Sequence, residues 1–192
     1  MTDNKVSIQK PVIGICIAAV LWTIMFSPWT APYINFWVMM TCSGAALTLF
    51  TCWARPGWWK DVRLDLSNIV IGVILAAALW GVFWLGEYLS TLMFDFARPQ
   101  VDSIYGMKEG ENPVVLTLLM LFIIGPAEEI FWRGCLQNRF SARWNPNIGF
   151  ILTTLAYGLV HVSKFNFMLI MAAMVAGFIW GLAYRFFPEK LG

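Results

Sequence analysis

The sequence predicts an all-α fold: a polytopic membrane helix bundle of about six transmembrane helices, forming a single integral membrane domain over residues 1–192 with both termini cytoplasmic. Three observations carry this. Apolar side chains make up 59% of the chain and charged ones 12%, against about 25% charged in an ordinary soluble domain. Mean hydropathy is +0.68. Stretches of about 17 to 25 mostly apolar residues, the length a helix needs to cross the bilayer core, recur along the chain with short loops between them.

The first stretch runs from Pro11 to Ser27. Lys5 and Lys10 before it imitate the start of a secretory signal, but no small-residue cleavage site follows and further spans do, so it reads as an uncleaved helix. The second, Ile34 to Trp53, lies between Pro28 and Pro32 on one side and Arg55-Pro56-Gly57 on the other, both ordinary helix breaks. Asn68 to Phe94 is overlong and must tilt or end early. Pro113 to Gln137 follows the longest loop, Asp95 to Asn112, which is too short to hold a soluble domain. Asn145-Pro146-Asn147 opens the fifth stretch, Asn147 to Val162, and the sixth runs from Phe167 to Phe187.

Charge sets the orientation, because cytoplasmic loops collect lysine and arginine. Lys5, Lys10, Arg55, Lys60, Arg63, Arg139, Arg143, Arg185 and Lys190 fall on one side, and Arg98, Lys108 and Lys164 on the other. Trp53, Trp58 and Trp59 suit an interfacial belt. A net charge of +2 spread over short loops excludes a nucleic-acid surface. No internal repeat suggests a transporter built from two halves. Cys16, Cys42, Cys52 and Cys135 are scattered without a C-x-x-C pair and read as small buried hydrophobes.

The remaining cation, Arg133, sits inside the fourth apolar stretch together with Glu128 and Glu129. Ionisable groups in hydrocarbon cost at least about 2.5 to 3.5 kcal/mol, face protein or trapped water, and mark working sites. Glu129 and Arg133 are four residues apart, hence on one helical face, with the acid first in the favourable order. They are expected to form an internal ion pair. Glu128, rotated by about 100°, is expected to face a cavity and act as a general base. The plainer alternative is an ion pair that only joins two spans. His161, the single histidine, ends the fifth stretch, and a short antiparallel connection brings it beside the acidic helix. Glu87, late in the third stretch, reads as an interfacial acid near Arg98, and Gly177-x-x-x-Gly181 as a close-packing surface.

The run Gly125-Pro126-Ala127-Glu128-Glu129-Ile130-Phe131-Trp132-Arg133-Gly134 resembles the E-E-x-x-x-R motif of the CPBP intramembrane proteases, which include CAAX endopeptidases of the Rce1 type and bacterial proteins of bacteriocin processing and self-immunity. Tyr157-x-x-x-His161 is similar to the family's second motif, where phenylalanine usually takes the place of Tyr157. The family-like core covers about residues 113–187.

The resemblance implies that Glu128 and His161 activate a water for attack on a peptide bond, with Glu129, Arg133 and Tyr157 in support. It implies a peptide or membrane-protein substrate beside the lipid bilayer; the small, divided net charge suggests no nucleic-acid partner, and six spans without an organelle signal suggest a bacterial inner membrane. The favoured mechanism requires no cofactor. A divalent metal such as zinc stays open, although such a site needs three protein ligands plus water and only Glu128, Glu129 and His161 offer themselves. The family also carries a second histidine, followed by asparagine or aspartate, on a later helix. No such helix precedes Gly192, and the last residues, 187–192, are expected to be the turn before a seventh span. The loss of an oxyanion donor costs about 10²- to 10³-fold in rate. The main expectation is therefore an intramembrane endopeptidase, and the alternative is a catalytically impaired membrane protein of the same family that binds peptides or partners. A proton-coupled transporter using Glu128 and His161 as a relay is a third reading.

Overall fold

A computed structural model describes residues 7–63 and 65–188. Lys5 and Lys190, counted above for orientation, lie outside the described residues, as does most of the C-terminal turn. Among the described residues seven helices longer than a single turn occur and no strand does. They are α1 (Gln9–Phe26), α2 (Phe36–Ala54), α3 (Leu66–Met93), α4 (Ala97–Tyr105), α5 (Pro113–Arg143), α6 (Pro146–Leu159) and α7 (Phe167–Phe186). Among the described residues, five of them, α1, α2, α3, α5 and α7, are long and apolar enough to cross a membrane.

Two expectations change. The fifth apolar stretch folds as the 14-residue α6, about 21 Å long at 1.5 Å per residue, which falls short of a hydrocarbon core about 30 Å thick. The segment 95–112 is not a plain loop but contains α4, where Arg98 and Asp102 pair across one turn with Nε to Oδ1 at 3.1 Å. Arg98 also stands 3.9 Å from Glu87, the neighbour expected for that acid.

Helix starts follow from local chemistry. The side chains of Asn35, Asp65, Asn112, Asn145 and Asn166 accept hydrogen bonds from the first free backbone N–H groups of α2, α3, α5, α6 and α7. Pro113 and Pro146 occupy first-turn positions, where a missing N–H costs nothing. The break at Arg55-Pro56-Gly57 uses a left-handed glycine, Gly57, at φ 85°.

The core lies where α1 and α2 meet the second half of α5, around Trp22, Phe26, Leu47, Phe131, Trp132 and Leu136. Inside a bilayer, close approach and hydrogen bonds drive such packing more than apolar burial does. α3 behaves differently: of its 28 residues only Asn68 and Leu79 are buried. Cys16, Cys42 and Cys52 correct the expectation of burial, since they lie exposed on the outside of the bundle and only Cys135 is buried; all four are free thiols.

Candidate active site

α5 is not a uniform helix. Pro113–Leu119 is α-helical, Met120–Ile124 widens into π-helix, Gly125–Glu129 returns to α, Ile130–Gln137 is again π, and Asn138–Arg143 is α. The first widening follows from Gly125-Pro126. The Gly125 N–H bonds the carbonyl of Met120, five residues back, and a Cβ on Gly125 would stand 2.8 Å from that oxygen. Pro126 has no N–H and its ring would press on the preceding turn, so a wider turn accommodates it. Within the second widening the Gly134 carbonyl accepts from Arg55 Nη1 at 2.6 Å. Arg139 returns the contact to the carbonyl of Ala54 at the end of α2. π turns of this kind concentrate at functional sites.

The acidic motif sits on the short α-helical stretch between the two. Arg133 Nη1 donates to Glu129 Oε1 at 2.9 Å, the i,i+4 pair expected from spacing. Arg133 is 2% exposed, and its Nη2 reaches the carbonyls of Ala176 (3.5 Å) and Gly177 (3.4 Å) on α7. One turn on, Gln137 Nε2 donates to the Gly181 carbonyl at 2.7 Å. Two polar side chains four residues apart on α5 thus bind two glycine carbonyls four residues apart on α7. The glycines permit this close approach: a Cβ at Gly177 would lie 3.1 Å from the Tyr157 ring, and one at Gly181 3.3 Å from Gln137 Oε1.

Glu128 turns the other way. Its Oε2 accepts the Tyr157 hydroxyl at 2.7 Å, and no further hydrogen-bond donor to it occurs among the described residues. The Tyr157 ring is boxed by Trp132 at 5.1 Å, by His161 at 5.4 Å and by the Arg133 guanidinium at 5.2 Å. Tyr157 therefore joins the two motifs.

His161 follows the last turn of α6 and is buried. Its Nδ1 lies 2.8 Å from the Tyr157 main-chain oxygen. A carbonyl only accepts, so Nδ1 carries the proton. Its Nε2 accepts the indole N–H of Trp22 at 3.1 Å. Sequence reasoning passed over Trp22 as one tryptophan among many, and no local signal marks it, because the contact spans 139 positions.

The two acids face different neighbours. A cavity of about 1050 Å³ opens between α3, α5, α7 and the turn at Trp58-Trp59, and it is Glu129 and Arg133 that line it, with Asn68, Leu75, Phe122 and Trp180 among the walls. Glu128 is drawn toward α6 by Tyr157, which leaves Glu129 facing the gap. The cavity also lies among the third, fourth and sixth apolar stretches rather than among the fourth to sixth.

Among the described residues no group of three His, Cys, Asp or Glu side chains is gathered to hold a metal ion, and both nitrogens of His161 are engaged.

An "Uncharacterized 24.3 kDa protein" of Escherichia coli is 30% identical over 112 residues, covering 57% of this chain and 49% of that protein. The chain spans about half the length of the curated relative it matches. No solved structure matches it. Residues 110–189 match the family model "Type II CAAX prenyl endopeptidase Rce1-like". Glu128, Glu129, Arg133, Tyr157 and His161 all fall within that stretch, so the part of this integral membrane protein that carries both motifs is the part similar to the Rce1-like CAAX endopeptidases.

Proposed function

We propose that the chain is an intramembrane endopeptidase in which Glu128 is the general base. The observation that carries this reading is the state of its carboxylate: Tyr157 holds Oε2 at 2.7 Å, while the second oxygen has no protein donor among the described residues and is left for water. A carboxylate aimed by one hydrogen bond and open at its other oxygen suits proton abstraction. Glu128 takes a proton from water, the hydroxide adds to the scissile carbonyl, and the proton passes to the departing amine as the C–N bond breaks. His161 assists through Nε2, the nitrogen with the lone pair. Glu129 and Arg133 keep α5 against α7. The reading includes a peptide or membrane-protein substrate, both termini in the cytoplasm, a bacterial inner membrane, and no resident metal.

The test is to compare newly formed protein N-termini, by mass spectrometry, in membranes from cells making the wild-type chain or Glu128→Gln at equal levels. Termini that require the wild-type protein and vanish in the variant support the reading; identical sets overturn it.

A second reading, a peptide- or partner-binding member of the same family with impaired catalysis, is favoured by one observation. Trp22 already occupies Nε2 of His161, so no ring nitrogen is open to water in this arrangement. Identical sets of termini, together with partners crosslinked to the cavity-lining Phe122 or Trp180, would establish it.

A further inference from the structure

We infer that Trp22, on the first helix and outside the family-matched segment, is a positioning residue for His161: its indole N–H fixes which imidazole nitrogen is basic and where that nitrogen points. The inference rests on the endopeptidase reading for its catalytic meaning but on geometry for its content.

A neutral imidazole has one N–H and one in-plane lone pair, and the groups around it decide which nitrogen has which. Here the two neighbours are of opposite kinds. The Tyr157 carbonyl can only accept and takes Nδ1 at 2.8 Å. The Trp22 indole can only donate and takes Nε2 at 3.1 Å. Either contact alone would select the tautomer; together they hold the ring at both nitrogens.

Trp22 itself is packed on several sides. It is 0% exposed, stands edge-on to Trp132 with centroids 6.3 Å apart and planes at 89°, and meets the imidazole at 6.1 Å and 81°. One turn later on the same helix, Phe26 covers the imidazole at 5.4 Å. α1 is thus a wall of the site. The neighbouring indole of Trp132 points its N–H at nothing among the described residues, so satisfaction of an indole in this core is not automatic, and the Trp22 contact is selective.

Whatever water or substrate group engages His161 during turnover must meet Nε2 along the line Trp22 now occupies. The indole therefore defines the approach direction, and its N–H must be displaced as the ring takes up its task.

The single histidine of the chain makes this directly measurable. Protein labelled with ¹⁵N in histidine and tryptophan, purified without a histidine tag and reconstituted in bilayers, shows one imidazole by NMR. The expected result is a protonated Nδ1, an unprotonated Nε2, and a scalar coupling across the hydrogen bond between Trp22 Nε1 and His161 Nε2. In Trp22→Phe, which keeps an aromatic ring in place, the Nε2 resonance moves toward that of a free lone-pair nitrogen while Nδ1 stays. A proton on Nε2, an absent coupling in the wild-type chain, or an unmoved Nε2 in the variant overturns the assignment. The wild-type measurement alone decides if the variant fails to fold.

For the catalytic meaning, Trp22→Phe is expected to lose on the order of 10- to 100-fold of the Glu128-dependent cleavage, the scale of a misplaced reacting group; unchanged cleavage with a changed Nε2 signal overturns that part. Failure of the endopeptidase reading is separately visible, as cleavage indifferent to Glu128→Gln with the NMR result intact.

Discussion

The Tyr157 hydroxyl donates to Glu128 across the α6–α5 interface at 2.7 Å, tying the residue that precedes the histidine by one turn to the first acid of the double-glutamate motif. A hydrogen bond to a charged group contributes about 1.5–3 kcal/mol. Tyr157→Phe keeps the ring, which is what Trp132 and His161 pack on, and removes only the donor. Denaturant titration in mild detergent is expected to show a loss of that size with the fold retained. A variant as stable as the wild type would mean that water replaces the hydroxyl without cost.

Arg133 and Glu129 are unequal partners. Arg133 is 2% exposed and binds two α7 carbonyls besides the acid, whereas the Glu129 side chain is 32% exposed at the cavity. Arg133→Ala strands a carboxylate and two carbonyl contacts and is expected to cost about 3–5 kcal/mol, the range for breaking a buried pair. Glu129→Gln keeps an acceptor for the guanidinium and is expected to cost clearly less. The same unfolding assay ranks the two, and equal losses would refute the asymmetry.

Glycine substitutions separate tight helix contacts from open ones. A Cβ at Gly149 would clash with Ser141 Oγ and lie 2.6 Å from the Ser141 backbone nitrogen and 2.9 Å from the Gln137 carbonyl. Backbone cannot retreat, so Gly149→Ala is expected to destabilise strongly or abolish folding. Gly72, Gly81 and Gly86 on α3 have nothing within 4 Å, and alanine there is expected to be neutral or to stabilise by up to about 1 kcal/mol from helix propensity. Melting curves of the four variants check both halves.

Chelation provides a test of the donor set. With no trio of ligating side chains among the described residues, treatment with 1,10-phenanthroline followed by gel filtration is expected to leave Glu128-dependent cleavage unchanged. Inhibition that returns on adding zinc would reverse this.

Much of this arrangement was legible before any coordinates. The Glu129–Arg133 pair follows from four-residue spacing, and the Gly177–Gly181 contact from small residues one turn apart. The widened turn before Gly125-Pro126 was not legible, because the width of a helix turn is not written in hydrophobic periodicity. Other features were out of reach for physical reasons. Apolar residues face both lipid and core, so the pattern could not tell exposed Cys16 from buried Cys135. The exposed face of α4 is held by Arg98 and Asp102, a pair invisible to a search for apolar runs. Trp22 meets His161 only because three helices converge.

The solitary α3 carries a consequence for the membrane around it. Its 28 residues extend about 42 Å, well beyond the acyl region it crosses, so the helix leans, and it leans further where the lipids are shorter. Few contacts resist that rocking. A helix of that length trades tilt against lipid chain length, and the wall it supplies beside Glu129 and Arg133 tilts with it.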